Sequence, residues 1–556
     1  MFRGSLDEAT TRLTGPGSPY EIVTEPVFGV DMPVFKHRAR SAREVLIESR
    51  DRDDDYVVYE GRRLTFKQHF DDVTALAHVL RDEYGVRKGD RVAILAANCP
   101  EWITTFWAAT SIGAVVASMN AWWAEPELEH ALITCEPTVV VVDDKRVAAV
   151  AAVARRTPFR ILSIGPEFNA HIDGATGKGE LPEVDIDEDD PAVILYTSGT
   201  TGRSKGAVAT HRSVCGNVSI NRFSAVSTAV AAGLPEAVVS SPAARQIALV
   251  TVPLFHASGL YGFVVTQLAF GGTLVLRAGR FDADDVLQLI EAERVNMWAP
   301  LGSMGPRVAE RAASSGRDLS SLRTLGVGGA PVSPSVQLLL REAFPNASLN
   351  VSMGYTSSEA VAVVTRIQGD DLRERPTSAG RLAVTTSMEI RDADGNAVPE
   401  GVDGEIHVQS PYLMTGYWRD PESTEAVLKQ GRWLAMGDIG RIEDGWLYIN
   451  SRARDMILVN AENVFPTEVE YRLDSHPGVV ESAVFGVDDD MTGQAIRATV
   501  VCKAGATVTV DDLTTWCRAG LAGYKVPTQW DIREDPLPRN ASGKILKREL
   551  VPEATL

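Results

Sequence analysis

Thr197-Ser198-Gly199-Thr200-Thr201-Gly202-Arg203-Ser204-Lys205-Gly206 follows directly on the apolar run Ala192-Val193-Ile194-Leu195-Tyr196. A short apolar run ending in hydroxyls, glycines and one lysine predicts a strand that opens into an anion-binding loop. Glycines let backbone N–H groups approach phosphate oxygens, hydroxyls add hydrogen bonds, and the ammonium supplies a point charge. The expected ligand is a nucleoside triphosphate. The spacing is not that of a Walker loop, because Gly199 leads to Ser204-Lys205-Gly206 where Gly-Lys-Ser/Thr is required. A dinucleotide fingerprint is absent as well, since Gly326-Val327-Gly328-Gly329 runs into Ala330-Pro331.

At 556 residues the chain exceeds the size of a single growing core, so at least two domains are expected. Its apolar share of 44% and charged share of 23% are those of a globular protein. With 55 Lys+Arg against 74 Asp+Glu the formal charge is −19, which opposes nonspecific binding to nucleic acid or anionic lipid. Anionic ligands must therefore enter through locally basic sites. Cys99, Cys135, Cys215, Cys502 and Cys517 show no C-x-x-C spacing, so neither a zinc site nor a disulfide framework is expected. The first residues lack an apolar leader core, and no apolar run approaches the ~18–20 residues of a membrane span. A cytoplasmic location is expected, and peripheral membrane contact is compatible with a lipid-like substrate.

Residues 1–40, rich in Pro, Gly and charge, read as an extended arm over the body. From residue 42, helical patterns (43–49, 70–84, 131–135) alternate with short apolar strands (91–95, 138–144, 160–165). This βαβ rhythm predicts a mostly parallel sheet with helices on both faces. The acidic stretch 184–192 connects into the strand before the phosphate loop. Residues 222–247 are small and weakly patterned, and read as a surface insertion, a lid or an interface. Turn-rich β segments at 391–410 and 441–450 give way near 450 to a compact α+β unit. The expected division is 1–453 and 454–556.

The string from Thr197 to Gly206 resembles the phosphate loop of the acyl-adenylate-forming superfamily, which includes acyl-CoA synthetases, peptide-synthetase adenylation domains and beetle luciferases. Matching segments recur in the family's order over residues 45 to 550. By this resemblance Thr197, Ser198, Gly199, Thr200, Thr201, Gly202 and Lys205 hold the triphosphate, and Gly328, Gly329, Ala330 and Pro331 form the adenine turn. In Met353-Gly354-Tyr355-Thr356-Ser357-Ser358-Glu359, Tyr355 packs on adenine, Ser358 approaches the α-phosphate and Glu359 binds Mg2+. One carboxylate beside phosphate oxygens and water suffices for that ion. Asp438 matches the acceptor of both ribose hydroxyls, a task suited to an acceptor-only carboxylate, and Arg452 a second nucleotide contact. Lys544, in Pro538-Arg539-Asn540-Ala541-Ser542-Gly543-Lys544, matches the catalytic lysine that bridges the α-phosphate and the attacking carboxylate. His256, in Pro253-Leu254-Phe255-His256-Ala257-Ser258-Gly259, resembles a gate beside the carboxylate.

The resemblance implies a large N-terminal domain of layered α/β and β subdomains and a small mobile α+β C-terminal domain. It implies an AMP-forming acid–CoA ligase that uses ATP, Mg2+ and coenzyme A. Segment 253–259 carries no acid to pair a substrate ammonium, so amino acids are not expected substrates. Segments 254–261, 299–303, 326–330 and 351–354 are apolar and small, which predicts a hydrophobic acid: a medium or long fatty acid, or an alicyclic or steroid side-chain acid. The alternatives are an acyl-AMP ligase serving a separate carrier protein and a non-catalytic nucleotide-binding regulator. Two departures bear on the thioester step, Arg454 where the hinge has Asp or Lys, and Asn460-Ala461 where the family has Gly-Gly. A homodimer is compatible with the chain.

Overall fold

The computed structural model describes residues 5–551 except 178, 198–203, 239–240, 242–243, 329–331, 460–461, 490–492, 504 and 541–542. Two sheets build the large N-terminal domain. The six-stranded sheet runs, in spatial order, Lys205–Thr210, Pro191–Thr197, Val115–Ser118, Arg91–Leu95, Val139–Val142 and Arg160–Ser163. Only its first pairing is antiparallel. Val139–Val142 is four consecutive buried valines, the pattern of a strand covered on both faces. The helix Pro100–Ser111 buries every residue but Glu101. Its Trp102, Phe106 and Trp107 share one core with Val92 and Val116 of this sheet and with Val250 and Leu274 of the next. A helix apolar all round is stable only in such a position.

The second sheet has fourteen strands. Its parallel half runs Asp55–Tyr59, Thr273–Leu276, Ile247–Val250, Met297–Trp298, Thr324–Val327 and Val351–Tyr355. Antiparallel strands then continue it through Thr365–Gln368, Ser378–Leu382, Trp446–Arg452 and Trp433–Glu443. The last two are joined by Asp444 and Gly445, at φ 50° and 75°, the left-handed pair that a tight hairpin requires. The small C-terminal domain has its own five-stranded sheet, built mainly on Val479–Asp489 and Gly493–Cys502, with Pro466–Asp474 and Val510–Arg518 packed on it. Val469, Leu473, Val484, Ile496 and Leu513 form its separate core.

Two expectations are corrected. The arm is not extended: Leu6–Thr14 is a helix started by a Ser5/Glu8 capping box, and Ile22–Val27 pairs with Val30–Phe35 as a hairpin. Nor are residues 222–231 a surface insertion, because they complete the long helix His211–Ala231. Phe223, Val226 and Val230 of that helix pack against Leu13 and Phe35 of the arm, while Ser224 and Thr228 face the central cleft. A helix contacting different partners on different faces shows no single apolar stripe, which is why its pattern reads as weak. The arm is further tied down by Arg38, which pairs with Glu25 at 2.6 Å and with Glu188 of the acidic connector at 2.9 Å. Among the described residues no helix is long and apolar enough to cross a membrane. All five cysteines are free thiols.

Candidate active site

Ile247–Val250, Met297–Trp298, Thr324–Val327 and Val351–Tyr355 are parallel neighbours, so their carboxyl ends lie on one edge of the sheet. Open α/β sheets bind ligands outside that edge. His256, Leu301, Gly328 and Glu359, each from the segment following one of these strands, line one cleft there. The C-terminal domain closes it, contributing Lys544 to the same lining. The cleft encloses ≈ 2840 Å³, more than the ~300–1,000 Å³ of a single-ligand pocket, and so has room for a nucleotide and a second molecule.

On one wall Asp438 and Arg452 are directly opposite partners of an antiparallel pair. Arg452 Nε donates to Asp438 Oδ1 at 2.9 Å, and Tyr355 Oη donates to Asp438 Oδ2 at 2.5 Å. Burial, the largest influence, raises the Asp438 pKa, while Arg452, the Tyr355 hydrogen bond and Lys544 pull it back. Burial and the neighbouring carboxylate push the Tyr355 phenol well up, so it remains a donor. Each Asp438 oxygen keeps accepting capacity for a ligand hydroxyl.

Across the cleft Thr197 and Lys205 are opposite partners flanking the phosphate loop. Ser198, Gly199, Thr200, Thr201 and Gly202 of that loop lie outside the described residues, as do Gly329, Ala330 and Pro331 of the adenine turn. Lys205 Nζ stands 5.5 Å from the centre of the Tyr417 ring, and Tyr417 Oη donates to Glu359 Oε1 at 2.8 Å. Tyr417 thus couples the loop lysine to the acidic residue of the motif. It went unread in the sequence, although Thr415-Gly416-Tyr417-Trp418 is an aromatic pair behind a glycine. The remaining acceptor capacity of Glu359, beside a loop suited to phosphate, fits a magnesium ion completed by phosphate oxygens and water. Ser358 also lines the cleft. Two residues beyond Glu359, Val361 holds φ 60°, an outlier for a β-branched side chain and a strain concentrated at this motif.

Lys544 is presented by a tight turn. Arg539 and Ile545 form an antiparallel bridge, Lys544 N–H donates to Asn540 Oδ1 at 3.0 Å, and Arg539 Nη1 donates to the Gly543 carbonyl at 2.6 Å. Glu481 holds the other end of Arg539. The turn abuts Gly302 of the large domain: a Cβ on Gly302 would stand 2.6 Å from the Gly543 oxygen. Lys544 lines the same cleft as Asp438 and His256, and its charge lowers the pKa of both. His256 is pushed down to about 4, first by burial and then by Lys544, and is neutral at pH 7. Its ring lies on Phe255, and its buried Nε2 has no hydrogen-bond partner among the described residues. A ligand oxygen at the cleft is the natural partner.

A cleft between two domains, lined by Lys544 from the small domain and by Asp438, Glu359 and Lys205 from the large one, suits the joining of an acid to a nucleotide. Family comparison agrees. The model described as "AMP-binding enzyme" matches residues 47–418, and "AMP-binding enzyme C-terminal domain" matches 468–544. The chain is 37% identical to a feruloyl-CoA synthase of Amycolatopsis sp over 89% of its length and 94% of the relative's. It is 31% identical to a long-chain-fatty-acid–CoA ligase of Yersinia pestis over 88% and 90%. Among solved structures, ATP-bound MatB from Rhodopseudomonas palustris superposes with a TM-score of 0.80 at 27% identity, covering 92% of this chain and 98% of that one. The chain belongs to the AMP-binding enzymes of the acyl-adenylate-forming superfamily, as an acyl-CoA synthetase, a class whose co-substrates are ATP, with Mg2+, and coenzyme A.

Proposed function

We propose that this protein joins a bulky, predominantly hydrophobic carboxylic acid to coenzyme A through an acyl-adenylate. In the first step a carboxylate oxygen of the acid attacks the α-phosphorus of ATP, the α–β phosphoanhydride bond breaks, and pyrophosphate leaves. In the second the CoA thiol adds to the acyl carbon, the bond to AMP breaks, and thioester, AMP and a proton are released. Asp438 receives the ribose hydroxyls, Tyr355 and the turn at Gly328 the adenine, and Thr197 and Lys205 flank the triphosphate with Ser358 at the α-phosphate. Arg452 holds Asp438 in place. Neutral His256 offers its free ring nitrogen to the acid carboxylate, and Lys544 stabilises the charge that develops between carboxylate and α-phosphate. Glu359 is the residue that would hold magnesium, which when bound would supply positive charge to the phosphate oxygens. The observation that carries this reading is that Lys544, on a turn seated against Gly302 of the large domain, lines the same cleft as Asp438, Glu359 and His256.

The thioester step then follows rotation of the C-terminal domain about a hinge at 453–454, which withdraws Lys544. The acid class is supported by the cleft walls, which Phe223, Tyr261, Phe270, Leu301 and Val363 help to line. Relatives named for feruloyl and long-chain fatty acyl groups bring aromatic propenoic acids into the class beside medium or long fatty acids and alicyclic or steroid side-chain acids. The enzyme works in the cytoplasm, where free thiols persist. An acid panel scored by pyrophosphate release, with CoA or with a phosphopantetheinylated carrier, tests the reading. Hydrophobic acids should exceed acetate by at least about tenfold in kcat/KM, a difference near 1.4 kcal/mol. A preference for acetate, for an amino acid, or for the carrier over CoA refutes it.

A further inference from the structure

The helix His211–Ala231 turns Asn217, Asn221, Ser224 and Thr228 toward the cleft. Their spacing of i, i+4, i+7 and i+11 makes one polar stripe along the helix, beside Ile220 and Phe223, which line the same cleft. Facing it, the strand Thr365–Gln368 projects Arg366 and Gln368, two apart and therefore on one side. Arg366 Nη2 donates to Asn221 Oδ1 at 2.6 Å and Nη1 to Ser224 Oγ at 3.1 Å, while Gln368 Nε2 donates to Thr228 Oγ1 at 2.8 Å. Asn221 is held in that orientation by its own donation to the Asn217 carbonyl at 2.8 Å.

Arg366 differs from Arg38 and Arg212, two other enclosed arginines of this domain. Arg38 and Arg212 each sit between two carboxylates. Arg366 forms no ion pair with any acid among the described residues, and burial alone lowers its pKa, with no carboxylate opposing. It nevertheless lines the cleft. Its backbone is paired directly with Gly354 of the adenylate motif, so the neighbouring position on that sheet face carries no side chain. A guanidinium has five donors, and two are engaged here. An enclosed cation left without a counter-charge is costly unless a ligand supplies the acceptor.

We propose that the acid activated by this enzyme carries a hydrogen-bond-accepting oxygen at the end remote from its reacting carboxyl, and that Arg366, oriented by Asn221 and Ser224, receives it. This rests on the ligase reading above and narrows its substrate class, from hydrophobic acids in general to those whose far end bears a carboxylate or a neutral carbonyl, phenol or ether oxygen. A buried polar group rejects an analogue lacking its partner far more strongly than an apolar pocket rejects a methylene.

The test uses the full-length enzyme and sets of straight-chain acids of matched length ending in methyl, methyl ketone or carboxylate, with cinnamic acid and its para-hydroxy and para-carboxy forms beside them. Acid-dependent pyrophosphate release gives kcat/KM for each. At one length or more, an oxygen-ended acid should exceed its methyl-ended partner by at least about tenfold. The arm that wins distinguishes an anionic from a neutral terminus. Arg366→Met should bring that ratio to within about twofold while leaving the methyl-ended acid within about threefold of wild type. Asn221→Asp, which supplies an internal counter-charge at unchanged size, should specifically abolish any advantage of the carboxylate-ended acid, and does so even if Arg366→Met fails to fold. Wild-type preference for the methyl terminus at every length overturns the proposal, as does an equal loss for all acids in both variants. Turnover of the methyl-ended acid with ATP and CoA reports the ligase reading separately, so a wild-type enzyme that turns this acid over but shows no preference for an oxygen-ended partner at any length overturns the Arg366 assignment alone.

Discussion

Gly302 is a point at which the Lys544 turn of the small domain bears on the large one, and Gly302→Ala should impair acid adenylation while sparing thioester formation. The residue sits at φ +54°, and an added Cβ would lie 2.6 Å from the Gly543 carbonyl oxygen and 3.1 Å from Arg539 Nη1. Real carbon–oxygen contacts require roughly half an ångström more or beyond, so the turn must recoil. Gly543 is covalently next to Lys544, and the recoil is transmitted to the ammonium. The left-handed backbone costs alanine about 1–2 kcal/mol wherever the domain stands, whereas the collision exists only when Lys544 is in the cleft. Misplacement of a catalytic group by about 1 Å is worth up to ~10²-fold, so pyrophosphate release should fall about 10- to 100-fold. Conversion of supplied acyl-adenylate and CoA to thioester should remain near wild type. Stopped-flow measurement of the two half-reactions separates them, with the thermal melt as a control for the backbone strain. Equal loss in both half-reactions, or loss in neither, refutes the reasoning.

Lys544→Ala should lose ~10²–10³ in pyrophosphate release, the usual effect of deleting one preorganised charge, and keep the thioester half-reaction; parallel loss in both removes the division of labour. Glu359→Gln should raise the magnesium requirement for adenylation and be partly rescued by added Mg2+, with its cooperative melt retained; loss of that melt would make the residue structural. Asp474 is a third case, read through stability. Burial, reinforced by Glu470 and Glu481 and opposed by the 2.8 Å hydrogen bond from Ser482, pushes its carboxyl up to about 8. A raised carboxyl favours the folded state only while protonated, so its contribution is full below the unfolded pKa near 3.9 and is lost as pH rises toward 8. Asp474→Asn should therefore raise the melting temperature more at pH 8 than at pH 5, and an equal shift at both pH values would contradict this.

The local chemistry was legible in the chain because it depends on neighbours in sequence. A strand followed by glycines, hydroxyls and a lysine offers the donors that a phosphate loop needs, and Tyr355, Ser358 and Glu359 share one short motif. Parallel strands likewise announced themselves by continuous apolar runs such as 139–142. What tertiary structure alone decided is which distant groups meet. Asp438 and Tyr355 are joined by a hydrogen bond across 83 positions, and Tyr417 and Glu359 across 58; no periodicity encodes such pairings, which arise from strand order in the sheet. The same cause misled the reading of 222–231 as a surface insertion. A helix that packs the arm on one face and presents asparagine, serine and threonine to a cleft on another has its apolar signal cancelled. Four pocket segments that are apolar in sequence say nothing of Arg366, which strand pairing sets beside Gly354 in the lining of the same cleft. Sequence determines the chemistry each segment can offer, and packing of non-local elements determines which of those offers face the same ligand.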